Sequence, residues 1–276
     1  MFDTNPNLIQ DANDQLWARP TPLVLIHDGG GTIFSYYCLG DLGRPVFGIF
    51  NPHYGTDQVW EGGLPEMARH YVGLIKETIP QGDILIGGWS LGGLISLEVA
   101  RLLAEDDALN VLGIVMIDSI YPKHVDGSVA ARIVQHAIAW NDNTKQETRD
   151  AVNRCFTEAG TMVRQWTLPT WGDEDVSEKN EPVEAAAKDL RPPPVILLRA
   201  QEVVPVGEEG VSKVDISRSD RLLGWGHYRK DLIVQVVDIP GHHFSIFQTE
   251  WRLDIITEKL QKACRDLERI AAGPAN

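Results

Sequence analysis

The stretch Ile86 to Leu103, IGGWSLGGLISLEVARLL, narrows the fold more than any other part of the chain. An apolar run enters a turn of glycines around one tryptophan and one serine, then leaves directly as a helix-period segment. A strand that turns into a helix within two residues leaves little room for side chains. Gly88 and Gly92, flanking Trp89-Ser90-Leu91, therefore keep strand and helix from colliding. The serine is either a loop residue or a nucleophile on a strained corner, and G-x-S-x-G between strand and helix is the context of the second. On that reading Ser90 Oγ projects above a sheet at the positive end of a helix, where developing negative charge is favoured.

The rest of the chain supplies such a sheet. Short apolar runs at Leu23–Ile26, Val46–Phe50, Ile84–Ile86, Gly113–Ile117, Val195–Leu198 and Leu232–Val237 alternate with helix-period segments, the pattern of βαβ units and a mostly parallel sheet flanked by helices. Continuous rather than alternating apolarity means strands covered on both faces. Met67, Tyr71, Leu74 and Ile75 share one helical face, as do Ile95, Val99 and Leu102. Leu253, Ile256, Leu260, Cys264, Leu267 and Ile270 mark a C-terminal helix ending before Gly273 and Pro274. From about 121 to 191 no convincing strand is visible, and two or three amphipathic patches precede a polar, acidic piece. This segment is expected to be a helical lid inserted over the sheet. One α/β domain over residues 1–276 is the expected organisation.

Composition excludes several classes. With 39 acidic against 25 basic residues the net charge is −14, which disfavours nucleic acid and anionic membrane surfaces as partners. Cys38, Cys155 and Cys264 are odd in number and far apart, so no disulfide framework or CxxC motif can be drawn, and reduced buried thiols are expected. The N-terminus lacks a basic, then apolar, secretory pattern, and no apolar run approaches the ~20 residues that cross a bilayer. A cytoplasmic protein is expected.

A serine hydroxyl needs a base, placed after the acid in the order serine, acid, histidine. Among eight histidines only the adjacent pair His242 and His243, in VVDIPGHHFSIF, follows the last apparent strand. Neighbouring side chains point apart, so at most one reaches Ser90. A metal reading of the pair lacks further ligands at a recognisable spacing. For the carboxylate that orients the imidazole, Asp118 closes the strand LGIVMID, whereas Glu202 lies in a loop beyond the strand VILLRA and Gln201. Asp118 is favoured, because a carboxylate ending a parallel strand faces the crevice where ligands bind. Two backbone N–H groups must receive the oxyanion: that of Leu91, after the nucleophile, and one from the loop after the first strand, where Gly29, Gly30 and Gly31 allow close approach. No GK[ST] follows that glycine run, so a nucleotide loop is not supported.

In this order and at these separations, LVLIHDGGGTIFSYYCL, GGWSLGG, VMIDS and IPGHHFSIF resemble the thioesterase domains of polyketide synthases and non-ribosomal peptide synthetases, fungal ones in particular. The resemblance runs from about Pro22 to Leu260. It implies an α/β-hydrolase fold with a helical lid and an acid at Asp118. Its G-x-H-F pattern selects His243, and its oxyanion donor two residues beyond a histidine corresponds to Gly29. Asp28 stands where proline is common, and Leu91 where alanine or methionine often follows the serine.

The resemblance further implies acyl transfer from the phosphopantetheine thiol of a carrier protein to Ser90, then release to water or to a nucleophile within the acyl chain. No cofactor or metal is needed, since the phosphopantetheine belongs to the substrate. Because carrier proteins tend to be acidic, docking would use a local basic patch such as Arg221, Arg229 and Lys230. Trp140, Met162, Trp166 and Trp171 are candidates to line an acyl channel. The opening methionine and the lack of a carrier-protein remnant lean towards a standalone protein. Two other readings remain: a general carboxylesterase or lipase acting on free esters, and a non-catalytic binding module, which should have lost Ser90, Asp118 or His243.

Overall fold

The computed structural model describes residues 4–11, 20–122, 130–134, 140, 142–172, 190–207 and 209–273. Seven strands form one sheet: β1 Asn7–Gln10, β2 Leu23–Ile26, β3 Val46–Ile49, β4 Gly82–Trp89, β5 Leu109–Ile117, β6 Val195–Ala200 and β7 Ile233–Ile239. Their spatial order is β1-β3-β2-β4-β5-β6-β7. All neighbours run parallel except β1, which pairs antiparallel with β3 at the edge. The helices are α1 Phe34–Tyr37, α2 Gly63–Thr78, α3 Leu91–Leu103, α4 Gln146–Gln165 and α5 Glu250–Ala272. No helix among the described residues is long and apolar enough to cross a membrane.

The unbroken apolarity of the strands has its reason in two separate cores. Val24, Ile26, Ile114, Met116, Val195 and Leu197 point to the face covered by α2 and α3. Their neighbours Leu23, Leu25, Val115, Ile117, Ile196 and Leu198 point to the other face, which carries Tyr36 and Leu39 beside α1 and Ile256, Leu260, Cys264 and Leu267 of α5. Successive strand residues face opposite sides, so a strand covered on both has no polar position to spare. The expected helix faces hold: Met67, Tyr71, Ile75, Ile95 and Val99 are fully buried. Ile270 is the exception, 47% exposed in the last turns of α5.

Three features depart from expectation. The strand β1, NLIQ, is short, half-exposed and polar, and gives no periodic signal. Ile133–Val134 forms a two-residue parallel pairing with Val211–Ser212, inside the segment read as strandless. Cys155 and Cys264 are buried free thiols as expected, but Cys38 is exposed. Of the expected lid, α4 is the long helix among the described residues, burying Ala151, Cys155, Ala159 and Met162. The acidic piece at 173–189 lies outside the described residues.

Candidate active site

Ser90 sits at φ 55, ψ −113, a conformation an L-residue adopts only under constraint. The constraint is visible in atoms. A Cβ on Gly88 would stand 2.4 Å from the Ile26 carbonyl oxygen, and one on Gly92 2.2 Å from the same atom. Backbone cannot yield as a side chain can, so only glycine fits at either side of the serine. The turn is tied to its surroundings by Ser90 N–H donating to Ile117 O at 2.9 Å. Tyr36, from α1, bridges the elbow to the neighbouring strand: its hydroxyl donates to Ile26 O at 2.7 Å and accepts from Trp89 N–H at 2.8 Å.

Three side chains from distant parts of the sequence meet here. His243 Nε2 lies 3.0 Å from Ser90 Oγ, and His243 Nδ1 lies 2.8 Å from Asp118 Oδ2. A carboxylate only accepts, so Nδ1 carries the proton and Nε2 is left to accept from the hydroxyl. Of the adjacent histidines, His242 turns instead to its own loop, where its Nδ1 lies 3.3 Å from the Phe244 amide. Glu202 does not touch the imidazole; its carboxylate accepts from Gly241 N–H at 3.2 Å and so braces the start of the histidine loop.

Asp118 is fully buried and adopts φ 48, with its N–H held by Leu198 O at 2.7 Å. Burial pushes its carboxyl up, but hydrogen bonds and charge from His243 and Arg218 outweigh this and hold it at about 2. Arg218 had no signature in the sequence. It lies in a turn-rich segment between β6 and β7 and reaches Asp118 with both terminal nitrogens, at 2.5 and 2.8 Å.

The loop after β2 holds the other expected donor. His27 Nδ1 stands 2.5 Å from Asp28 O; a carbonyl only accepts, so Nδ1 is protonated and Nε2 accepts from Tyr71 O–H at 2.6 Å. Burial lowers His27 to about 4, which keeps this tautomer neutral. Gly31 N–H donates to Asp28 O at 3.1 Å and Gly30 N–H to Asp28 Oδ1 at 3.0 Å. Of the three glycine amides only that of Gly29 has no partner among the described residues. Its N–H is trans to the Asp28 carbonyl that His27 and Gly31 pin, so its direction is fixed. Leu91, as the first residue of α3, has an N–H with no intrahelical acceptor.

The glycine run is also crowded in a way the sequence did not show. A Cβ on Gly29 would lie 2.8 Å from the Phe156 ring and one on Gly30 3.3 Å from it, so α4 packs against the side where a side chain would stand. Asp28, where proline is common in the resembling family, is pushed up to about 6 by burial, against its bond to Gly30 and the charge of His243.

The expected channel residues divide. Trp166 and Trp171 are core, their indole N–H groups donating to Glu98 at 3.0 Å and to the Tyr228 hydroxyl at 2.8 Å. Trp140 is half-buried beneath the Arg149 guanidinium at 6.0 Å. Met162 lines a cavity of about 460 Å³ between α4 and Val59–Trp60. In the expected basic patch, the Arg229 side chain is buried against Asp231, which removes it from a docking surface. Arg221 is exposed beside Asp238, and Lys230 is exposed.

A model of the thioesterase domain matches residues 21–170. The probable thioesterase gloN of Glarea lozoyensis is 38% identical over 281 residues, covering 96% of this chain and 99% of that protein. The thioesterase AMT4 of Alternaria alternata is 34% identical, covering 96% and 93%. Among solved structures, the NocB thioesterase domain in covalent complex with a fluorophosphonate nocardicin G analogue superposes with a TM-score of 0.60 at 22% identity, covering 89% of this chain and 95% of that one. RedJ, a thioesterase from the prodiginine pathway of Streptomyces coelicolor, gives 0.59 at 16% identity, covering 89% and 91%. Those two likenesses establish the fold. Sequence and fold together make this chain a member of the thioesterase family, an enzyme with the α/β-hydrolase architecture.

Proposed function

We propose that the chain is a serine thioesterase that releases a polyketide or peptidyl acyl chain from the phosphopantetheine arm of a carrier protein, through an acyl-Ser90 intermediate. The observation that carries this is the unbroken relay from Ser90 Oγ to His243 Nε2 at 3.0 Å and from His243 Nδ1 to Asp118 at 2.8 Å. Supporting the carrier-bound substrate are structural neighbours, one of them within a four-domain non-ribosomal peptide synthetase.

In the first half-reaction Ser90 Oγ attacks the thioester carbonyl carbon and its proton passes to His243 Nε2. The carbonyl oxygen becomes an oxyanion, received by the N–H groups of Leu91 and Gly29; each such donor contributes ~10²–10³ in rate. The C–S bond then breaks, the electron pair leaves on sulfur, and the sulfur takes the proton from His243 Nε2, so that the imidazole is neutral again. A thiol near pKa ~8.5 is a good leaving group, so the proton on His243 is needed less than an amide would need it. In the second half, water or a nucleophile within the acyl chain gives its proton to His243 and attacks the acyl carbon. Ser90 leaves and recovers that proton. Asp118 stays ionised throughout and stabilises the imidazolium.

A fluorophosphonate probe is expected to label the wild type at Ser90 and to leave Ser90→Ala unlabelled; equal labelling of both removes this nucleophile. Rates on an acylated carrier protein are expected to exceed those on a simple aryl ester of the same acyl group. The opposite order would favour a general carboxylesterase.

A further inference from the structure

Behind Asp118, on the side away from the imidazole, stands a cation that the three-residue relay does not require. Arg218 is 5% exposed, and its guanidinium has five N–H donors, all engaged. Nε donates to Asp215 Oδ1 at 2.9 Å. One terminal nitrogen donates to Asp118 Oδ1 at 2.5 Å and to Ala200 O at 3.0 Å. The other donates to Asp118 Oδ2 at 2.8 Å and to Val214 O at 3.1 Å. Asp215 is held in turn by Val204 N–H at 2.7 Å.

Asp118 is equally saturated. Its Oδ1 takes Arg218 and the Ala200 N–H at 2.8 Å, and its Oδ2 takes Arg218 and His243. Four lone pairs meet four donors. Neither the plane of the carboxylate nor that of the guanidinium can turn without breaking two bonds at once.

We infer that Arg218 is a positioning residue for the Asp118–His243 pair: it locks the carboxylate plane so that one lone pair of Oδ2 faces Nδ1, and it shares the carboxylate's charge with the imidazole. This rests on the acyl-Ser90 reading above. A bare aspartate would give its whole negative charge to the imidazolium. Here a fork of two charge-assisted bonds draws on the same charge, so the pair binds its catalytic proton less tightly and returns it more readily to the leaving group. The charged groups facing the pair are Arg218 and Asp215 from behind and Asp28 from the loop after β2.

The test compares Arg218→Met/Asp215→Asn, which removes the cation together with the second anion it pairs and leaves Asp118 held only by His243 and the Ala200 N–H, with Arg218→Lys, which keeps the charge and loses the fork. Thermal denaturation and fluorophosphonate labelling give the folded, competent fraction of each, and thioesterase rates are taken from pH 4 to 9. For the double variant, kcat is expected to fall at least ~10-fold with KM nearly unchanged, and the acid limb of the kcat/KM profile to move up by about one unit. Arg218→Lys should show a smaller fall in kcat with the limb in place. A limb unmoved in the double variant, with kcat lost only in proportion to folded protein, would overturn the inference. Should the double variant not fold, wild-type kcat in Arg218→Lys overturns it and slowed kcat with an unmoved limb supports it. Labelling that persists in Ser90→Ala would sink the acyl-enzyme reading and this inference with it; specific Ser90 labelling, with the double variant's limb unmoved and its kcat lost only in proportion to folded protein, sinks this inference alone.

Discussion

Replacing Asp118 with asparagine tests whether the carboxylate acts through the histidine's tautomer, and the hydrogen-bond pattern around it predicts the outcome. The carboxylate accepts four bonds: from Arg218 and Ala200 N–H at Oδ1, and from Arg218 and His243 at Oδ2. An amide in this place has one accepting oxygen and one donating nitrogen. With its oxygen towards Ala200, the nitrogen opposes one Arg218 N–H and also faces the imidazole, which can adapt by shifting its proton to Nε2. With its oxygen towards His243, the nitrogen opposes both Arg218 and the Ala200 amide, neither of which can adapt. The second arrangement has one more unmade buried bond, about 1–3 kcal/mol, or roughly one to two orders of magnitude in population. The first therefore dominates, and it places an N–H rather than a lone pair against Ser90 Oγ, so the base is lost.

Losing the carboxylate's charge on the imidazolium adds to this, and kcat is expected to fall by about 10⁴ in all. Stability should also fall, by about 3 kcal/mol, because Arg218 loses one of two buried anions. The assay is kcat on an acyl thioester, normalised to the fraction still folded by urea denaturation, with Glu202→Gln as the comparison. Among the described residues the Glu202 carboxylate meets the Gly241 amide and, at 3.9 Å, Arg252, so its loss should stay within about tenfold. Activity above a tenth of wild type in Asp118→Asn, or a comparable collapse in Glu202→Gln, would refute the assignment.

Tyr36→Phe removes the hydroxyl that bridges Ile26 O and Trp89 N–H; leaving these partners unpaired, the Ile26 bond buried and the Trp89 bond part-buried, should lower stability by about 1–3 kcal/mol, read by urea denaturation, and a loss under ~0.5 kcal/mol would count against the bridge. Asp28→Asn addresses pH. The wild-type carboxyl is raised to about 6 in the fold from 3.8, so the unfolded chain ionises first and wild-type stability from this group declines as pH rises between about 4 and 6. The variant, which still accepts from Gly30 N–H, should therefore be more stable than wild type by on the order of 2 kcal/mol at pH 8, with the gain gone at pH 4. A gain equal at both values contradicts it.

What the sequence discloses and what it hides divide along a physical line. Ser90 and Asp118 each follow a strand directly and His243 lies in the short loop after one, and strand ends are marked locally by where apolar runs stop. The glycines of the elbow are legible for the same reason, since a side-chain exclusion of 2.2–2.4 Å admits one residue type. Arg218 is hidden because nothing near it in the chain announces it: its partners Asp118 and Ala200 lie 100 and 18 residues away. Tyr36 reads as one more aromatic on a short helix. Trp166 and Trp171 look from composition like channel walls, and only the donors they give to Glu98 and Tyr228 identify them as core. The choice between Asp118 and Glu202 was legible in principle, because one closes its strand and the other lies two residues past β6.

The sheet also explains why residues from three strands converge to hydrogen-bonding distance. Parallel neighbours are spaced ~4.8 Å apart, so Ser90 after β4 and Asp118 after β5 begin within reach. The residue after each of three strands is tied by its amide to the next strand near that strand's carboxyl end: Ser90 N–H to Ile117 O, Asp118 N–H to Leu198 O, Gln201 N–H to Ile239 O. His243 leaves β7, two strands beyond β5, and must cross ~10 Å to reach Asp118. It crosses above β6, whose last residue, Ala200, is small and fully buried. That alanine offers the crossing loop no side chain to climb over. Its N–H binds Asp118 and its carbonyl binds Arg218, so the strand that the histidine passes is the one that holds the acid and its cation in place. The relay is therefore set by strand order and register at Ser90 and Asp118, while the loop after β7 carries His243 across β6 to meet them.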